Sequence, residues 1–210
     1  RYDHDPERAA ALLDEAGWRR ATTGAVRTRG GAQLAFTLLS SNDPRREAVA
    51  EMVAEQWAAV GVEVTVETVA ADALREALNS RDYQAALVHM KLPGDPDPYP
   101  FWHETQVDDG QNYAQLTDRR ISEVIEQARV TPNRNTRLEL YEEFQRLFAE
   151  ELPGLPLYVP AYTFGVDESI NDVQVGPLMH PCDRFRTITS WWIVHRRVLV
   201  TEAEAGPFPR

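Results

Sequence analysis

The stretch "QLAFTLLSSNDPRREAVAEMVAEQWAAVGVEVTVETV", residues 33–69, contains patterns for a strand, a helix and a second strand in immediate succession. Large apolar residues alternate with smaller or polar ones through residues 34–38 and again through 62–66, which is the period of a β-strand. Between them, apolar residues recur at helical spacing over 49–60, and Gly61 ends the helix. The stretch therefore predicts a strand–helix–strand unit.

A second crossover follows directly along the chain. Residues 71–80 carry a helical apolar stripe, and residues 83–90 are typical of a short buried strand. Because crossovers of this kind are right-handed, the three strands are expected to run parallel in one sheet. Two later apolar stripes, over 121–128 and 140–148, predict helices that cover it. The predicted fold class is α/β, with a largely parallel central sheet flanked by helices.

The two ends of the chain give weaker signals. Asp5 is a natural N-cap and Pro6 a first helical residue, so a short helix is expected to run from here to Gly17. The proline-rich stretch 152–166 predicts an edge strand or an extended crossing segment. After Trp192 the periodicity is weak, which predicts a frayed tail.

Composition excludes several classes of function. With 22 basic and 33 acidic residues the formal net charge is -11, which argues against nucleic acid or an anionic membrane as the main partner. Cys182 is the only cysteine, so neither an intrachain disulfide nor a cysteine zinc cage can form. The sequence has no membrane-spanning run and begins without a signal pattern. Any membrane attachment is expected only through a removed leader or a lipid anchor of the full-length protein.

The loop "LPGDPDPYPFWHE", residues 92–104, is the most conspicuous candidate for a chemical site. Asp95 and Asp97 offer hard oxygen ligands, but the glycine and distal glutamate of a calcium loop are missing. Each X-Pro step favours extended backbone, so the loop is expected to be stiff. We predict that the two aspartates cap backbone amides, and we expect no metal and no cofactor.

Catalytic patterns are weak throughout the sequence. No serine lies in a G-x-S-x-G elbow, and the histidines have no second ligand at helical spacing, so we expect no catalytic residue. Two alternatives stay open. One is a small α/β hydrolytic enzyme that uses His89 and Asp95 as an acid–base pair. The other is an interaction module that uses its acidic helix faces.

The order of motifs resembles the second lobe of the family 5 extracellular solute-binding proteins, over about residues 2–193. The segments that carry the resemblance are "YDHDPERAAALLDEAGW", "REAVAEMVAEQWAAVGVEVTVE", "LNSRDYQAALVHMKLPGDPDPYPFW", "NYAQLTDRRISEVIEQA" and "TRLELYEEFQRLFAEELPGLPLYVP". The resemblance implies one lobe of a periplasmic-binding-protein type II architecture. It further implies the extracytoplasmic receptor of an ABC importer, which captures a peptide-like or other small solute between two lobes and delivers it to permease subunits.

Family members are more than twice as long as this chain, and the larger N-terminal lobe has no counterpart in it. The resemblance therefore implies an excised lobe or a natural half-protein. Residues 1–178 are expected to form the ligand-binding lobe, and residues 179–210 to return to the other lobe. Half of a cleft is expected to bind its ligand weakly, because the surface that excludes water is incomplete.

The same resemblance locates a candidate site. In peptide-binding relatives, an aspartate shortly before a "DP" pair holds the peptide amine, and a tryptophan precedes it. With Asp95-Pro96 aligned to that pair, Leu92 takes the position of the aspartate and His89 that of the tryptophan. The free amine of a conventional peptide would thus find no carboxylate at this position. The expected solute-binding residues are His89, Met90, Lys91, Leu92, Trp102, Asn112 and Tyr113.

Overall fold

The computed structural model describes residues 3–91, 95–161, 163–176, 178 and 180–194 of the chain. The chain divides into two compact units, Arg1–Leu155 and Pro156–Arg210. The helices of the first unit are α1 (Pro6–Glu15), α2 (Pro44–Ala59), α3 (Ala71–Ser80), α4 (Tyr99–Trp102), α5 (Arg119–Val130) and α6 (Arg134–Glu151). Its strands are β1 (Thr28–Arg29), β2 (Ala32–Gln33), β3 (Ala35–Ser41), β4 (Glu63–Val69) and β5 (Ala85–Ala86).

A three-stranded parallel sheet with the order β4-β3-β5 forms the centre of this unit. The strand β3 pairs with β4 along its whole length, from Ala35 opposite Glu63 to Ser41 opposite Val69. Helix α2 connects β3 to β4, and α3 connects β4 to β5, so both predicted crossovers are present. The predicted α/β fold with a parallel sheet is confirmed.

The strand predicted over 83–90 is too long. Only Ala85–Ala86 pair with β3, and the amide of Leu87 donates one further bond to the Leu39 carbonyl at 2.8 Å. The next residue, Val88, is half-buried because it packs against the apolar cluster that contains Leu39. An apolar sequence pattern indicates that a segment is buried, but it does not indicate whether the backbone of that segment pairs with a neighbouring strand.

The first helix begins and ends where the sequence predicts. The Asp5 carboxylate accepts a hydrogen bond from the amide of Arg8 at 2.8 Å, and Pro6 is the first helical residue. Gly17 follows the helix with a φ of 85°, in the left-handed region that favours glycine.

A buried arginine, Arg27, fixes this helix to the rest of the unit. Its side chain is 3% exposed and forms an ion pair with Asp14 at 2.8 Å. The guanidinium also donates to the carbonyls of Val60 at 2.7 Å, Trp18 at 2.8 Å and Ala10 at 3.3 Å. Because one buried charge is satisfied by groups from α1 and from the end of α2, it ties the two helices together.

The helices α5 and α6 pack as a pair and contain the second apolar cluster of the unit. The buried residues of this cluster are Ile121, Ile125 and Leu147. Both helices are capped by a side chain: Asp118 accepts amide hydrogen bonds at the start of α5, and Asn133 does so at the start of α6. The two helices predicted from apolar stripes are confirmed.

The second unit is small, and its described residues contain little regular structure. Its strands β6 (Ile170–Asn171) and β7 (Trp192–Ile193) pair antiparallel, and short 3-10 helices span Pro181–Phe185 and Ile188–Ser190. The described residues of the stretch 152–166 form no strand, so the first of the two predicted alternatives, an edge strand, is wrong for them. Fraying was predicted for the tail after Trp192: Ile193 instead lies in β7, and residues 195–210 lie outside the described residues.

No helix in the described part of the chain combines the length and the apolar character that a bilayer crossing requires.

The α5–α6 cluster provides a direct test of the fold. Replacement of Ile125, which is completely buried, by alanine is expected to lower the free energy of unfolding by about 2–5 kcal/mol, because it removes apolar contacts and leaves a cavity. The control is Val130→Ala at the end of the same helix, where the side chain is 80% exposed. Urea unfolding of both variants measures the difference, and equal stabilities would contradict the packing described above.

Candidate functional site

A partly open cavity of about 550 Å³ lies at the carboxyl edge of the parallel sheet. Ser41, the last residue of β3, and Ala71, the first residue of α3, both line it. Residues 88–91, which follow β5, line it as well. Crevices at the carboxyl ends of parallel strands are the usual ligand sites of open α/β sheets, and this cavity has that position.

One face of α3 forms a wall of the cavity. Ala71, Leu74, Arg75 and Leu78 all line it, and their spacing of three and four residues puts them on the same side of the helix. Phe101, Gln111 and Tyr113, which follow α3 in the chain, also line the cavity. Part of this lining, Leu74, Leu78, Val88 and Tyr113, also belongs to the apolar cluster around Leu39, so the cavity borders the core.

Four of the predicted site residues line the cavity: His89, Met90, Lys91 and Tyr113. His89 and Lys91 are exposed, whereas Met90 and Tyr113 are half-buried. Leu92, another of the predicted site residues, lies outside the described residues, so its contact with a solute stays a prediction. The rule that solutes bind at strand ends was sufficient to identify the segment that follows β5.

Trp102 is not among the residues that line the cavity. Its ring meets the ring of Phe148 edge-on, with centroids 4.7 Å apart, and it packs against the cluster of α5 and α6. A Cβ atom on Gly154 would lie 3.1 Å from the edge of this ring, so the absent side chain makes room for it. In this structure Trp102 serves packing, because α4 turns it towards the helices.

Asn112 does not line the cavity either, because its side chain is completely buried. The amide group donates to the carbonyls of His103 at 3.1 Å and Leu116 at 2.9 Å, and its oxygen accepts from the amide of Leu116 at 3.0 Å. These bonds fix the backbone on both sides of Tyr113. Asn112 thus supports the cavity wall from behind without facing a solute.

Sequence reasoning missed Ser41, Arg46 and Gln111, which also line the cavity. A signal for Ser41 existed, because this residue directly follows the predicted strand pattern of residues 33–40, whose carboxyl end had to lie at the ligand-binding edge. Arg46 follows in the first turn of α2, and its guanidinium donates to the hydroxyl of Ser41 at 3.0 Å. No sequence signal indicates Gln111, which lies in an irregular loop.

The loop that carries Tyr113 is held by Arg81, a residue with a left-handed φ of 60° at the end of α3. Its guanidinium lies over the Tyr113 ring, 5.2 Å from the centroid, and donates to the carbonyls of Leu78, Gln106, Val107 and Gly110. The Tyr83 hydroxyl donates to the Tyr113 carbonyl. Burial raises the pKa of Tyr83, and the nearby Arg81 charge partly opposes this rise.

The two conspicuous aspartates bind arginines of neighbouring helices. Asp97 accepts from the amide of Tyr99 at 3.1 Å, which is the predicted backbone cap, and it pairs with Arg129 at 3.2 Å. Asp95 forms an ion pair with Arg137 at 2.9 Å, and among the described residues no backbone amide donates to its carboxylate. The aspartates therefore attach the loop to α5 and α6, and the ion pair of Asp95 corrects the capping prediction for that residue.

The geometry does not support the His89–Asp95 acid–base pair. His89 lines the cavity, whereas Asp95 is not among its lining residues and is engaged by Arg137. The loop is held further by the Tyr141 hydroxyl, which donates to the Pro96 carbonyl at 2.6 Å. Burial is the main cause that raises the pKa of Tyr141. This anchoring fixes Asp95 on α6.

A buried histidine has an arrangement that resembles a catalytic triad. The ring of His103, 1% exposed, bonds Glu126 at 2.9 Å through Nε2 and the hydroxyl of Thr105 at 2.9 Å through Nδ1. The amide of Thr105 donates to Nδ1 at 3.2 Å, so Nε2 carries the proton that Glu126 accepts. None of the three lines the cavity, and across the described residues no cluster of potential metal ligands occurs.

A family model for bacterial extracellular solute-binding proteins, family 5 (middle), matches residues 1–113, which is more than half of the chain. The match includes the whole parallel sheet and all of the described residues that line the cavity.

The chain belongs to the family 5 bacterial extracellular solute-binding proteins.

Two proteins illustrate the relationship. The oligopeptide-binding protein AppA of Bacillus subtilis is 26% identical over 196 residues, which are 92% of this chain and 35% of AppA. The structure of AppA in complex with a nonapeptide matches with a TM-score of 0.69 and 24% identity, over 92% of this chain and 38% of that chain. NikA of Brucella suis in complex with Fe(III)-EDTA matches with a TM-score of 0.61 and 26% identity, over 70% of this chain and 30% of that chain.

This family 5 chain spans about a third of the length of the curated relatives it matches. The fold of the matched part is that of periplasmic-binding-protein type II structures, as predicted.

The clamp at Arg81 yields a prediction about the cavity wall. Arg81→Met keeps the aliphatic stem but removes every donor, so it is expected to lower the free energy of unfolding by about 2–3 kcal/mol, because several carbonyls lose a charged partner. The matched control is Arg134→Met, since Arg134 is exposed at the start of α6.

Hydrogen exchange of the amides of residues 107–113 measures the local effect of this change. Faster exchange in Arg81→Met than in the control is expected, because the loop loses its attachment to α3. Equal protection in both variants would contradict a clamping role for Arg81.

Proposed function

We propose that this chain is the ligand-binding lobe of an ABC-importer receptor, which encloses a small solute between two lobes and delivers it to a membrane permease. The observation that carries this proposal is the cavity at the carboxyl edge of a parallel sheet in a family 5 solute-binding protein. A solute held there would be covered by a second lobe upon hinge closure, and the permease would recognise the closed form.

The solute class is peptide-like or another small solute. AppA is named as an oligopeptide-binding protein, and its structure contains a nonapeptide, whereas NikA was solved with Fe(III)-EDTA. Both kinds of ligand occur on this fold, so the fold does not select between them. The choice depends on the residues that line the cavity, above all the segment 88–91 and Tyr113.

In the same proposal, residues 1–178 form the ligand-binding lobe, and residues 179–210 return to the other lobe. The receptor acts outside the cytoplasm, in the periplasm or at the outer face of the cytoplasmic membrane. A removed leader or a lipid anchor provides its only contact with the membrane besides the permease. This localisation agrees with the relatives, which are extracellular solute-binding proteins by family.

The receptor performs no chemistry on its solute in this proposal. A hydrolytic reaction would need an acid and a base that face the same solute, and Asp95 is instead neutralised by Arg137 at 2.9 Å. The triad-like group around His103 is too deeply buried to reach a solute, since that ring is 1% exposed. Binding with release is therefore the function that the described side chains support best.

The experiment starts from the natural full-length protein that carries this chain. Any solute that co-purifies with it is released by denaturation and identified by mass spectrometry. His89→Ala is then expected to weaken the affinity for that solute by about twofold to tenfold, as for the loss of one hydrogen bond. Calorimetric titration measures the change.

His4→Ala is the control, since His4 is exposed near the start of α1 and does not line the cavity. An affinity that is unchanged in His89→Ala would exclude this residue from the site. Conversion of the solute into a product during incubation would contradict the receptor function itself.

A further inference from the structure

Part of the cavity lining belongs to a segment with little regular structure. Phe101, Gln111 and Tyr113 all line the cavity, and they lie within residues 101–113, which we call the lining segment. It contains the end of the four-residue helix α4 and a three-residue 3-10 helix, Glu104–Gln106, and the rest is bends and turns. Helix and sheet hydrogen bonds fix little of this backbone, so its position depends on side-chain contacts.

His103 connects the lining segment to helix α5. This residue directly follows α4 and caps the 3-10 helix, and it is 1% exposed. Its Nε2 atom donates to Oε1 of Glu126 on α5 at 2.9 Å, whereas Nδ1 accepts from the amide of Thr105 at 3.2 Å. One ring thus satisfies a backbone amide of the lining segment and bonds to the neighbouring helix.

The surrounding groups hold the imidazole ring in this orientation. The ring of Tyr99 stacks on it, with centroids 4.1 Å apart and an interplanar angle of 20°. The guanidinium of Arg129, on α5, lies over the Tyr99 ring at 4.2 Å from its centroid. The hydroxyl of Thr105 bonds both the Tyr99 hydroxyl at 3.1 Å and His103 Nδ1 at 2.9 Å. The imidazole is therefore held on its face and at both nitrogens, which leaves it little freedom to rotate.

Backbone contacts pass the position of His103 on to the cavity. The His103 carbonyl accepts from the side-chain amide of Asn112 at 3.1 Å, and Asn112 directly precedes Tyr113 in the chain. On the other side, Phe101 lies two residues before His103 and is 8% exposed. Lining residues near both ends of the lining segment are thus tied to the residue that bonds α5.

Glu126 receives this contact as part of a small charged network. Its side chain is 45% exposed, and Arg119 lies 3.9 Å from its second carboxylate oxygen. Arg119 also pairs at 2.8 Å with Glu104, the residue after His103. A buried polar contact adds little net stability compared with apolar packing, but it selects one arrangement because few geometries satisfy all its groups. The contact between His103 and Glu126 is therefore suited to setting where the lining segment lies.

We propose that His103 is a positioning residue for solute binding. Its bond to Glu126 holds the lining segment against α5, so that Phe101, Gln111 and Tyr113 are in place before a solute enters. The inference rests on the proposed receptor function and adds a residue that acts through others, since His103 is not among the described residues that line the cavity. A preformed lining strengthens binding because the solute does not have to order the segment.

Two substitutions of His103 in the natural full-length protein separate its two bonds. His103→Asn keeps an acceptor for the Thr105 amide, as asparagine does at helix starts, but it is too short to reach Glu126. His103→Gln carries an amide donor that extends about as far as Nε2, so the bond to Glu126 is retained. Glu126→Ala breaks the same bond from the other side. The matched control is Glu123→Ala, because Glu123 lies one turn earlier on α5 and pairs with Arg119 at 3.0 Å.

Hydrogen exchange of the amides of residues 104–113 in the solute-free protein measures the attachment directly. Roughly tenfold faster exchange is expected in His103→Asn and in Glu126→Ala, because the segment opens more often without its bond to α5. His103→Gln and Glu123→Ala are expected to stay close to the unsubstituted protein. Melting temperatures show which variants are folded. Because Glu126 is 45% exposed, Glu126→Ala still provides the test if His103→Asn does not fold.

Calorimetry well below the melting temperatures then measures the affinity of the folded variants. The probe is the solute that mass spectrometry identifies in the natural protein or, if none co-purifies, trialanine. Binding about threefold to tenfold weaker is expected in His103→Asn and Glu126→Ala, with recovery to within about twofold in His103→Gln. A purely structural role would lower the melting temperatures of the first two variants and leave the affinity of the folded protein unchanged.

Three results would overturn the inference and leave the receptor function intact, since the unsubstituted protein binds its probe in each of them. The first is unchanged affinity in Glu126→Ala, and the second is unchanged exchange in that variant. The third is binding by His103→Gln as weak as that by His103→Asn, because the bond to Glu126 would then not matter. An unsubstituted protein that holds no solute and does not bind trialanine contradicts the receptor function, and the inference fails with it.

Discussion

The parallel pairing of β3 with strands on both sides is the constraint from which the rest of the first unit follows. Parallel strands have their carboxyl ends at one edge, so the ends of β3, β4 and β5 meet there. Each connection must then return across the sheet through a helix, which brings the start of α3 to the same edge. Ser41, Ala71 and the segment 88–91 surround one cavity for this reason alone.

Arginines maintain this arrangement in an acidic protein, and they do so in two ways. Arg27 and Arg81 donate to backbone carbonyls of separate segments and thereby fix loops that lack regular structure. Arg137 pairs with Asp95 and attaches the proline-rich loop to α6. A guanidinium suits these tasks because it has several donors in a fixed plane. Arg46 has the same donors; it lines the cavity and donates to the Ser41 hydroxyl.

The sequence predicted the site only as far as a strand end could be recognised. His89 was identified because it lies at the end of a strand pattern. Tyr113 was identified because it lies close to the proline-rich loop in the sequence. Trp102 and Asn112 were selected by the same reasoning, yet one packs on Phe148 and the other is completely buried. Residue type and proximity along the chain do not reveal which way a side chain points, because this depends on how α4 and the following loop pack.

Periodicity by itself determined the strand–helix–strand order, the parallel sheet, the helices and the end of α1, because these depend on neighbours a few residues apart. Only the tertiary structure decided which side chains surround the cavity. They come from the end of β3, from α2 and α3, and from the segments after β5, which are distant in the sequence and become neighbours only when the sheet forms. Residues so far apart along the chain share no periodic pattern, so the sequence by itself does not reveal that they meet.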